Sequence, residues 1–217
     1  ALNPVIEKAV DQGIPVVTVC SRVTSDKVTA ACYTDNVRYG RIGAMKLVEL
    51  LGGKGEIIAL RGYPGNYNDI KRYEGFRSVI DQYPGIKLVA EEYAYWDLAT
   101  AKRISEELLA AHPEIDAAWS CGGSIARGFM LACLEAGMEV PLPINGGDSE
   151  NGFLKMWKKY QPLGFDSIVE GFPPYVGQVA IQVVSKILHG EPYEKDNVVC
   201  PEPITCLLYT SPSPRDS

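Results

Sequence analysis

Short apolar segments alternate with helical patterns along almost the whole chain, and this alternation restricts the fold more than any other feature. Segments with the character of buried strands lie at residues 14–19, 28–33, 56–60, 86–93, 115–120, 142–146, 166–170 and 197–204. Helical patterns lie at residues 4–12, 37–51, 69–82, from 97 onward, 124–136, 152–160 and 176–188. Repeated β-α units predict an α/β fold with parallel sheets flanked by helices.

One predicted helix carries an arginine on its apolar stripe. The stripe consists of Arg72, Phe76, Val79 and Tyr83, spaced as one core-facing side of a helix. A guanidinium group stays charged, and burying it without a partner is very costly. Arg72 therefore faces a polar cleft at the carboxyl ends of the strands, or it has its own carboxylate. A structural ion pair with Asp69 or Glu74 is the alternative to a binding role.

Composition and charge exclude several classes of protein. The 217 residues have a net charge of −6 at pH 7, which disfavours nucleic acid and anionic membranes as the main partner. No apolar run is long enough to span a bilayer. The sequence begins with Ala1 and no Met, so we expect a fragment whose signal peptide lies outside it. Residues 206–217 resemble a translated sequencing adapter, as in a metagenomic fragment, and are expected to be disordered.

The cysteines and histidines do not form a catalytic or metal-binding pattern. None of the cysteines before the tail is spaced as C-x-x-C, and no histidine lies near them, so no metal and no cofactor are predicted. A disulfide between Cys32 and Cys200 is left open. Neither His112 nor His189 follows a strand, so a nucleophile paired with histidine is not expected and no catalytic residue is assigned.

Polar, aromatic and glycine residues collect where the predicted strands end. The candidate ligand-binding residues are Arg72, Asp148, Trp96, Cys20, Ser21, Gly122, Gly123 and Glu170. Gly122 and Gly123 open a helix directly after a strand, where free backbone N–H groups can bind a ligand oxygen. A tight turn with Ser124 as the N-cap is the alternative there. This inventory fits the holding of a small polar molecule better than its chemical conversion.

Several ordered segments resemble a known family. They are residues 14–19, Asp35-Asn36, 55–62, 72–76, 112–117 and Gly147-Asp148. In order and spacing they resemble the type I periplasmic binding proteins of ABC sugar importers, most closely the ribose-binding branch. The resemblance implies a monomer with two α/β lobes, a sugar or polyol bound between them, and a membrane permease as partner. It also implies a periplasmic or cell-surface lipoprotein.

The resemblance also implies the lobe boundaries. Residues 1–34 and 172–196 would form the remnant of an incomplete amino-terminal lobe, and residues 35–171 and 197–205 the carboxy-terminal lobe. Crossings between the lobes are expected near residues 35, 171 and 197.

The resemblance assigns roles to single residues and shows departures. Arg72 and Asp148 match residues that hold sugar hydroxyls, and Trp96 matches an aromatic that packs on the sugar ring. The alternatives are that Asp148 caps the following helix and that Trp96 is a core residue. Cys20 and Ser21 replace a charged pair of the ribose-binding pattern. Gly122 and Gly123 replace another polar pair and leave extra room, so the ligand is not expected to be ribose.

Two other functions are weighed against the importer interpretation. The effector domain of a LacI-type transcription repressor shares this fold, and its helix-turn-helix would precede Ala1. An α/β enzyme ranks last because no credible catalytic group is present. Under the leading interpretation, Arg72→Ala or Asp148→Ala should abolish ligand binding with little loss of stability.

Overall fold

The computed structural model describes residues 2–205 and divides the chain into two compact units. The larger unit contains Asn36–Gly171 and the described residues from Glu202 onward. The smaller unit contains the described residues up to Asp35 together with Phe172–Pro201. The predicted adapter-derived tail, residues 206–217, lies outside the described residues.

Seven α-helices and six strands make up the described chain. The helices are α1 (Asn3–Asp11), α2 (Asn36–Leu51), α3 (Tyr67–Ile80), α4 (Leu98–Ala111), α5 (Gly123–Glu135), α6 (Asn151–Tyr160) and α7 (Val176–His189). The strands are β1 (Val17–Val19), β2 (Ala30–Thr34), β3 (Gly55–Arg61), β4 (Ile86–Tyr93), β5 (Ala117–Ser120) and β6 (Asp196–Val199). A 3₁₀ helix, Gln161–Leu163, follows α6. None of the helices in the described range has the length and apolar character needed to cross a membrane.

The larger unit is built on a parallel sheet with strand order β4-β3-β5. Its central strand, β3, is buried from Ile57 through Arg61, which is typical of a parallel strand covered on both faces. Phe76 of α3 stacks on Trp119 of β5, with ring centroids 4.7 Å apart. The predicted α/β fold with parallel sheets flanked by helices is confirmed.

The smaller unit has its own parallel sheet, with strand order β1-β2-β6. Its buried core consists of Ala30, Cys32, Val176, Ala180 and Val183. Strand β6 pairs with β2 in a register that joins Ala31 to Asp196 and Thr34 to Val199. This pairing places residues 197–201 in the smaller unit, whereas the sequence had assigned them to the larger lobe.

Two predicted strands are reduced to isolated bridges. Residues 142–146 contribute a parallel bridge from Ile144 to Ala118, and residues 166–170 contribute bridges from Val169 to Gly147 and Ile204. The prediction of full strands is wrong here. Pro143 explains part of the difference, because proline has no N–H to donate to a ladder of hydrogen bonds.

Helix α3 begins earlier and ends earlier than predicted. Asn66 caps it by accepting a hydrogen bond from the backbone N–H of Asn68 at 2.8 Å. The helix ends at Ile80, so Tyr83 lies in the turn before Pro84 and is 40% exposed. The expectation that Tyr83 continues the core-facing stripe is wrong, because the residue before a proline is disfavoured in helical conformation.

The cysteine thiols within the described residues are free. They are Cys20, Cys32, Cys121, Cys133 and Cys200. The disulfide left open between Cys32 and Cys200 is therefore not formed in this structure.

Candidate ligand-binding site

The larger unit brings together most of the predicted binding residues. Those in the larger unit are Arg72, Trp96, Gly122, Gly123, Asp148 and Glu170, whereas Cys20 and Ser21 belong to the smaller unit. In the larger unit they follow the carboxyl ends of β3, β4 and β5 or lie on the segments beside them. Carboxyl ends of parallel strands meet at one edge of the sheet, which is where α/β proteins bind their ligands.

Arg72 is held at this edge by contacts to two neighbouring segments. Its Nε atom donates to Asn36 Oδ1 at 2.9 Å, and its Nη1 atom donates to the carbonyl oxygen of Cys121 at 2.7 Å. The guanidinium carbon lies 3.8 Å from the centroid of the Tyr39 ring, within the range of a cation–π contact. Arg72 is 3% exposed. The charged group is thus fixed in position before any ligand arrives.

The structure contradicts the simple ion-pair alternative for Arg72. Asp69 pairs instead with Arg61, whose Nη2 atom donates to Asp69 Oδ2 at 2.7 Å. Glu74 pairs with Lys71 at 2.6 Å. Both acidic neighbours on α3 are therefore engaged with other cations.

Asp148 brings a carboxylate close to the Arg72 guanidinium. Its Oδ2 atom lies 4.0 Å from Arg72 Nη1, and its Oδ1 atom accepts a hydrogen bond from the Gly123 backbone N–H at 2.8 Å. The Asp148 side chain remains 34% exposed. It does not cap the following helix, because Glu150 accepts from the Phe153 N–H in that role. The capping alternative for Asp148 is wrong, and the carboxylate keeps surface open for a ligand.

Trp96 is fitted between two glycines. A Cβ atom at Gly62 would fall 2.5 Å from Trp96 Cε2, and one at Gly122 would fall 2.7 Å from Trp96 Cδ1. The indole Nε1 atom donates to the Cys121 carbonyl oxygen at 3.1 Å. The indole ring thus fills the space that side chains at positions 62 and 122 would need.

The same geometry corrects the interpretation of the glycine pair. At Gly123 a Cβ atom would fall 2.8 Å from Asp148 Oδ1. Gly122 and Gly123 therefore do not leave extra room for a ligand, because Trp96 and Asp148 already occupy that space. Helix α5 begins at Gly123 with Gly122 as its N-cap, so the predicted N-cap role of Ser124 is wrong. The sequence analysis predicted that the free backbone N–H of Gly123 could bind a ligand oxygen. In the structure this N–H donates to Asp148 Oδ1 instead.

The carbonyl oxygen of Cys121 joins these side chains. It accepts hydrogen bonds from Arg72 Nη1, from Trp96 Nε1 and, at 3.4 Å, from the Tyr39 hydroxyl group. Burial raises the pKa of the Cys121 thiol to about 12, so the sulfur stays protonated at neutral pH. Cys121 thus acts through its backbone and is not an activated nucleophile.

Glu170 is a buried carboxyl group at the same edge. Its Oε1 atom accepts from Asn145 Nδ2 at 2.9 Å, and its Oε2 atom has no hydrogen-bond partner within residues 2–205. Burial raises the pKa of Glu170 well above its ordinary value, and the nearby Arg72 charge offsets this only in part. Asn145 also bonds the backbone N–H and carbonyl of Ser120, which ties Glu170 to the end of β5.

Sequence reasoning missed several residues that build this site. Asn36 and Tyr39 contact Arg72, and Asn145 contacts Glu170, but the sequence patterns did not identify these three as site residues. Asn36 and Tyr39 are three residues apart on the buried side of α2. The sequence signal that could have identified Asn36 and Tyr39 is a polar stripe on the apolar side of a helix that follows a strand.

The two candidates in the smaller unit remain predictions. Cys20 follows β1 with φ of 70°, and its backbone N–H donates to the Cys32 carbonyl at 2.8 Å. Burial raises the pKa of the Cys20 thiol. Ser21 is half-buried in the bend that follows.

Within the described range, no group of three or more His, Cys, Asp or Glu residues is arranged to hold a metal ion.

Comparison with known proteins decides the family. Residues 1–192 match the family model described as the periplasmic binding protein domain. The chain belongs to this family. The predicted resemblance to type I periplasmic binding proteins is thereby confirmed.

Several members of the periplasmic binding protein family can be compared with this chain directly. The ribose import binding protein of Bacillus subtilis is 27% identical over 195 residues, which cover 90% of this chain and 62% of that protein. The fructose-binding periplasmic domain of a hybrid two-component system is 29% identical with a TM-score of 0.86, covering 96% of this chain and 69% of that one. The periplasmic binding protein of the Shewanella arabinose ABC transporter is 25% identical with a TM-score of 0.87. The match covers 96% of this chain and 70% of that protein.

Proposed function

We propose that the chain is part of an extracytoplasmic solute-binding protein that binds a sugar or related polyol for an ABC importer. The observation that carries the proposal is that Arg72 and Trp96 share the Cys121 carbonyl, while the Asp148 carboxylate lies 4.0 Å from the Arg72 guanidinium. Arg72 and Asp148 supply a charged donor and a charged acceptor, each able to make paired hydrogen bonds to adjacent hydroxyl groups. The indole of Trp96 supplies an apolar ring for the sugar.

The relatives favour a sugar as the ligand class. Their names specify ribose, fructose and arabinose as the compounds that those proteins bind. Ribose itself is not expected here, because Cys20 and Ser21 stand where the ribose-binding pattern has charged residues. We propose that the ligand is a sugar or polyol that makes fewer contacts to charged side chains than ribose makes in the ribose-binding pattern. Glu170 is proposed as a further residue that contacts this ligand.

The family and the relatives also support a location and a partner. A periplasmic binding protein acts outside the cytoplasm, in the periplasm or as a lipoprotein at the cell surface. The ribose relative is named as an import binding protein, and the arabinose relative as a component of an ABC transporter. We therefore propose that the complete protein is a monomer that delivers its ligand to a membrane permease and performs no chemistry on it.

A thermal-shift screen followed by calorimetry tests this function. The complete gene product would be screened against ribose, fructose, arabinose, allose, glucose, galactose and myo-inositol, and the best ligand titrated into wild type and Asp148→Asn. We expect the substitution to raise the Kd by about 100-fold, since it removes a charged hydrogen-bond acceptor. The control is Asp81→Asn, an exposed carboxylate paired with Arg77. Near-wild-type affinity of Asp148→Asn, or no response to any sugar, would contradict the proposal.

A sensory role is the second candidate. The relative with 29% identity is the periplasmic domain of a hybrid two-component system rather than an importer subunit. Both roles use the same ligand site. They differ in the partner, which is a kinase domain in the same polypeptide for the sensor and a membrane permease for the importer. A kinase domain encoded in the same reading frame would favour the sensor, whereas neighbouring permease genes would favour the importer. The repressor alternative gains no support from these relatives and would require an encoded helix-turn-helix.

A further inference from the structure

Three aromatic rings form a cluster beside the candidate site. The Tyr63 ring lies 5.2 Å from the Tyr95 ring in an edge-to-face arrangement and 5.7 Å from the Trp96 ring. Tyr63 is 51% exposed and Tyr95 is 41% exposed. Trp96 connects the cluster to the site, because its Nε1 atom shares the Cys121 carbonyl with Arg72. The two tyrosines therefore extend an aromatic surface outward from the position proposed for the sugar ring.

The backbone under this cluster is unusual. Tyr95 and Trp96 have φ values of 56° and 51°, and the Asp97 N–H bonds the Ala94 carbonyl at 3.0 Å. This is the geometry of a tight turn that normally takes Asn or Gly at both central positions. Two bulky aromatic residues occupy it instead. Backbone strain of this kind clusters at ligand-binding and active sites.

The tyrosines also offer polar groups. Neither the Tyr63 nor the Tyr95 hydroxyl group has a hydrogen-bond partner within residues 2–205, and both are open to solvent. A surface with exposed ring faces and unpaired hydroxyl groups suits a ligand that has an apolar face and a polar edge. A sugar ring is such a ligand.

We propose that Tyr63 and Tyr95 form a second subsite that takes the second ring of a disaccharide. The proposal rests on the proposed function, since the first ring must lie at Arg72, Asp148 and Trp96. It extends the ligand class from single sugars to glycosides with two sugar rings. The aromatic cluster is continuous with the first subsite, and this continuity identifies the ligand, rather than a protein partner, as its occupant.

Calorimetry with matched sugars tests the second subsite. The complete gene product is titrated with glucose against maltose and cellobiose, with galactose against lactose, and with fructose against sucrose. We expect at least one disaccharide to bind about fivefold or more tightly than its parent monosaccharide, the gain typical of one aromatic contact. Tyr63→Ala and Tyr95→Ala should each bring this ratio toward one. Tyr83→Ala, which removes a similarly exposed tyrosine outside the cluster, should leave the ratio unchanged.

The outcomes separate this proposal from the proposed function. Monosaccharide binding with no gain for any disaccharide overturns the second subsite and leaves the first intact. A gain that survives both tyrosine substitutions also overturns the second subsite. Absence of all sugar binding overturns both proposals. Should a tyrosine variant fail to fold, saturation-transfer NMR on the wild-type protein replaces the titration of that variant. The second sugar ring of the disaccharide must then receive saturation from aromatic protons of the protein. Absence of this transfer overturns the second subsite.

Discussion

Gly40 lies against the backbone of Arg72, so that a Cβ atom at Gly40 would fall 2.7 Å from the Arg72 carbonyl carbon. Gly75 makes the reciprocal approach, where a Cβ atom would fall 2.9 Å from the Val37 carbonyl carbon. Helices α2 and α3 therefore cross with their backbones nearly touching. This crossing places Arg72 within reach of Asn36, because a wider separation would break their hydrogen bond.

Gly40→Ala is expected to destabilise the larger unit by at least about 2 kcal/mol, because the methyl group meets backbone atoms that cannot rotate away. The free energy of unfolding from urea denaturation measures this effect. Gly177→Ala is the control, since a Cβ atom there meets nothing within 4 Å and helical alanine is favoured over glycine. It should leave stability unchanged or raise it by up to about 1 kcal/mol. Equal stability of the two variants would refute the close crossing.

Arg72→Ala is expected to lower stability as well as binding. The substitution leaves the Asn36 side-chain oxygen and the Cys121 carbonyl with one donor fewer, which should cost about 1–3 kcal/mol. The structure therefore revises the expectation of little stability loss for this residue. Asp148→Ala should cost less, because that side chain is 34% exposed. Denaturation curves that rank the two variants in the opposite order would contradict the described contacts.

Gly123→Ala is expected to weaken ligand binding by about tenfold or more, because the new methyl group would displace Asp148 from its hydrogen bond. Calorimetry with the best sugar from the screen measures the change. Ser124→Ala alters the next residue of the same helix and should stay within about twofold of wild type. A Gly123→Ala variant with unaltered affinity would show that the position of Asp148 does not matter.

Glu170→Gln is expected to gain stability relative to wild type as the pH rises. The raised pKa of Glu170 means that the folded chain keeps a proton that the unfolded chain releases above about pH 4.3. Wild-type stability from this group therefore falls as the pH rises toward the folded-state pKa, and glutamine does not titrate. Unfolding free energies from about pH 4 to about pH 8 should show a widening difference. Glu114→Gln, at an exposed position, is the control, and a constant difference for Glu170→Gln would refute the prediction.

The sequence was sufficient to predict the α/β class and to single out Arg72 as a charged residue on a buried helix face, because both follow from residue periodicity. A charged residue on an apolar stripe is visible without a structure. The hydrogen bonds to the Cys121 carbonyl could not be predicted in the same way, because every residue type has a backbone carbonyl and the sequence does not show which one accepts. Gly122 was misinterpreted for a related reason: a missing side chain can mean either open space or a neighbour that fills it. Only the position of Trp96 distinguishes the two.

The shared acceptor at Cys121 also has a thermodynamic consequence for binding. An arginine side chain free to rotate loses about 2 kcal/mol of conformational entropy when it is immobilised. In this chain Arg72 has already lost that freedom on folding, together with Trp96 and Tyr39. A ligand therefore meets groups that are already ordered, and its binding entropy carries a smaller penalty than contacts to mobile side chains would impose.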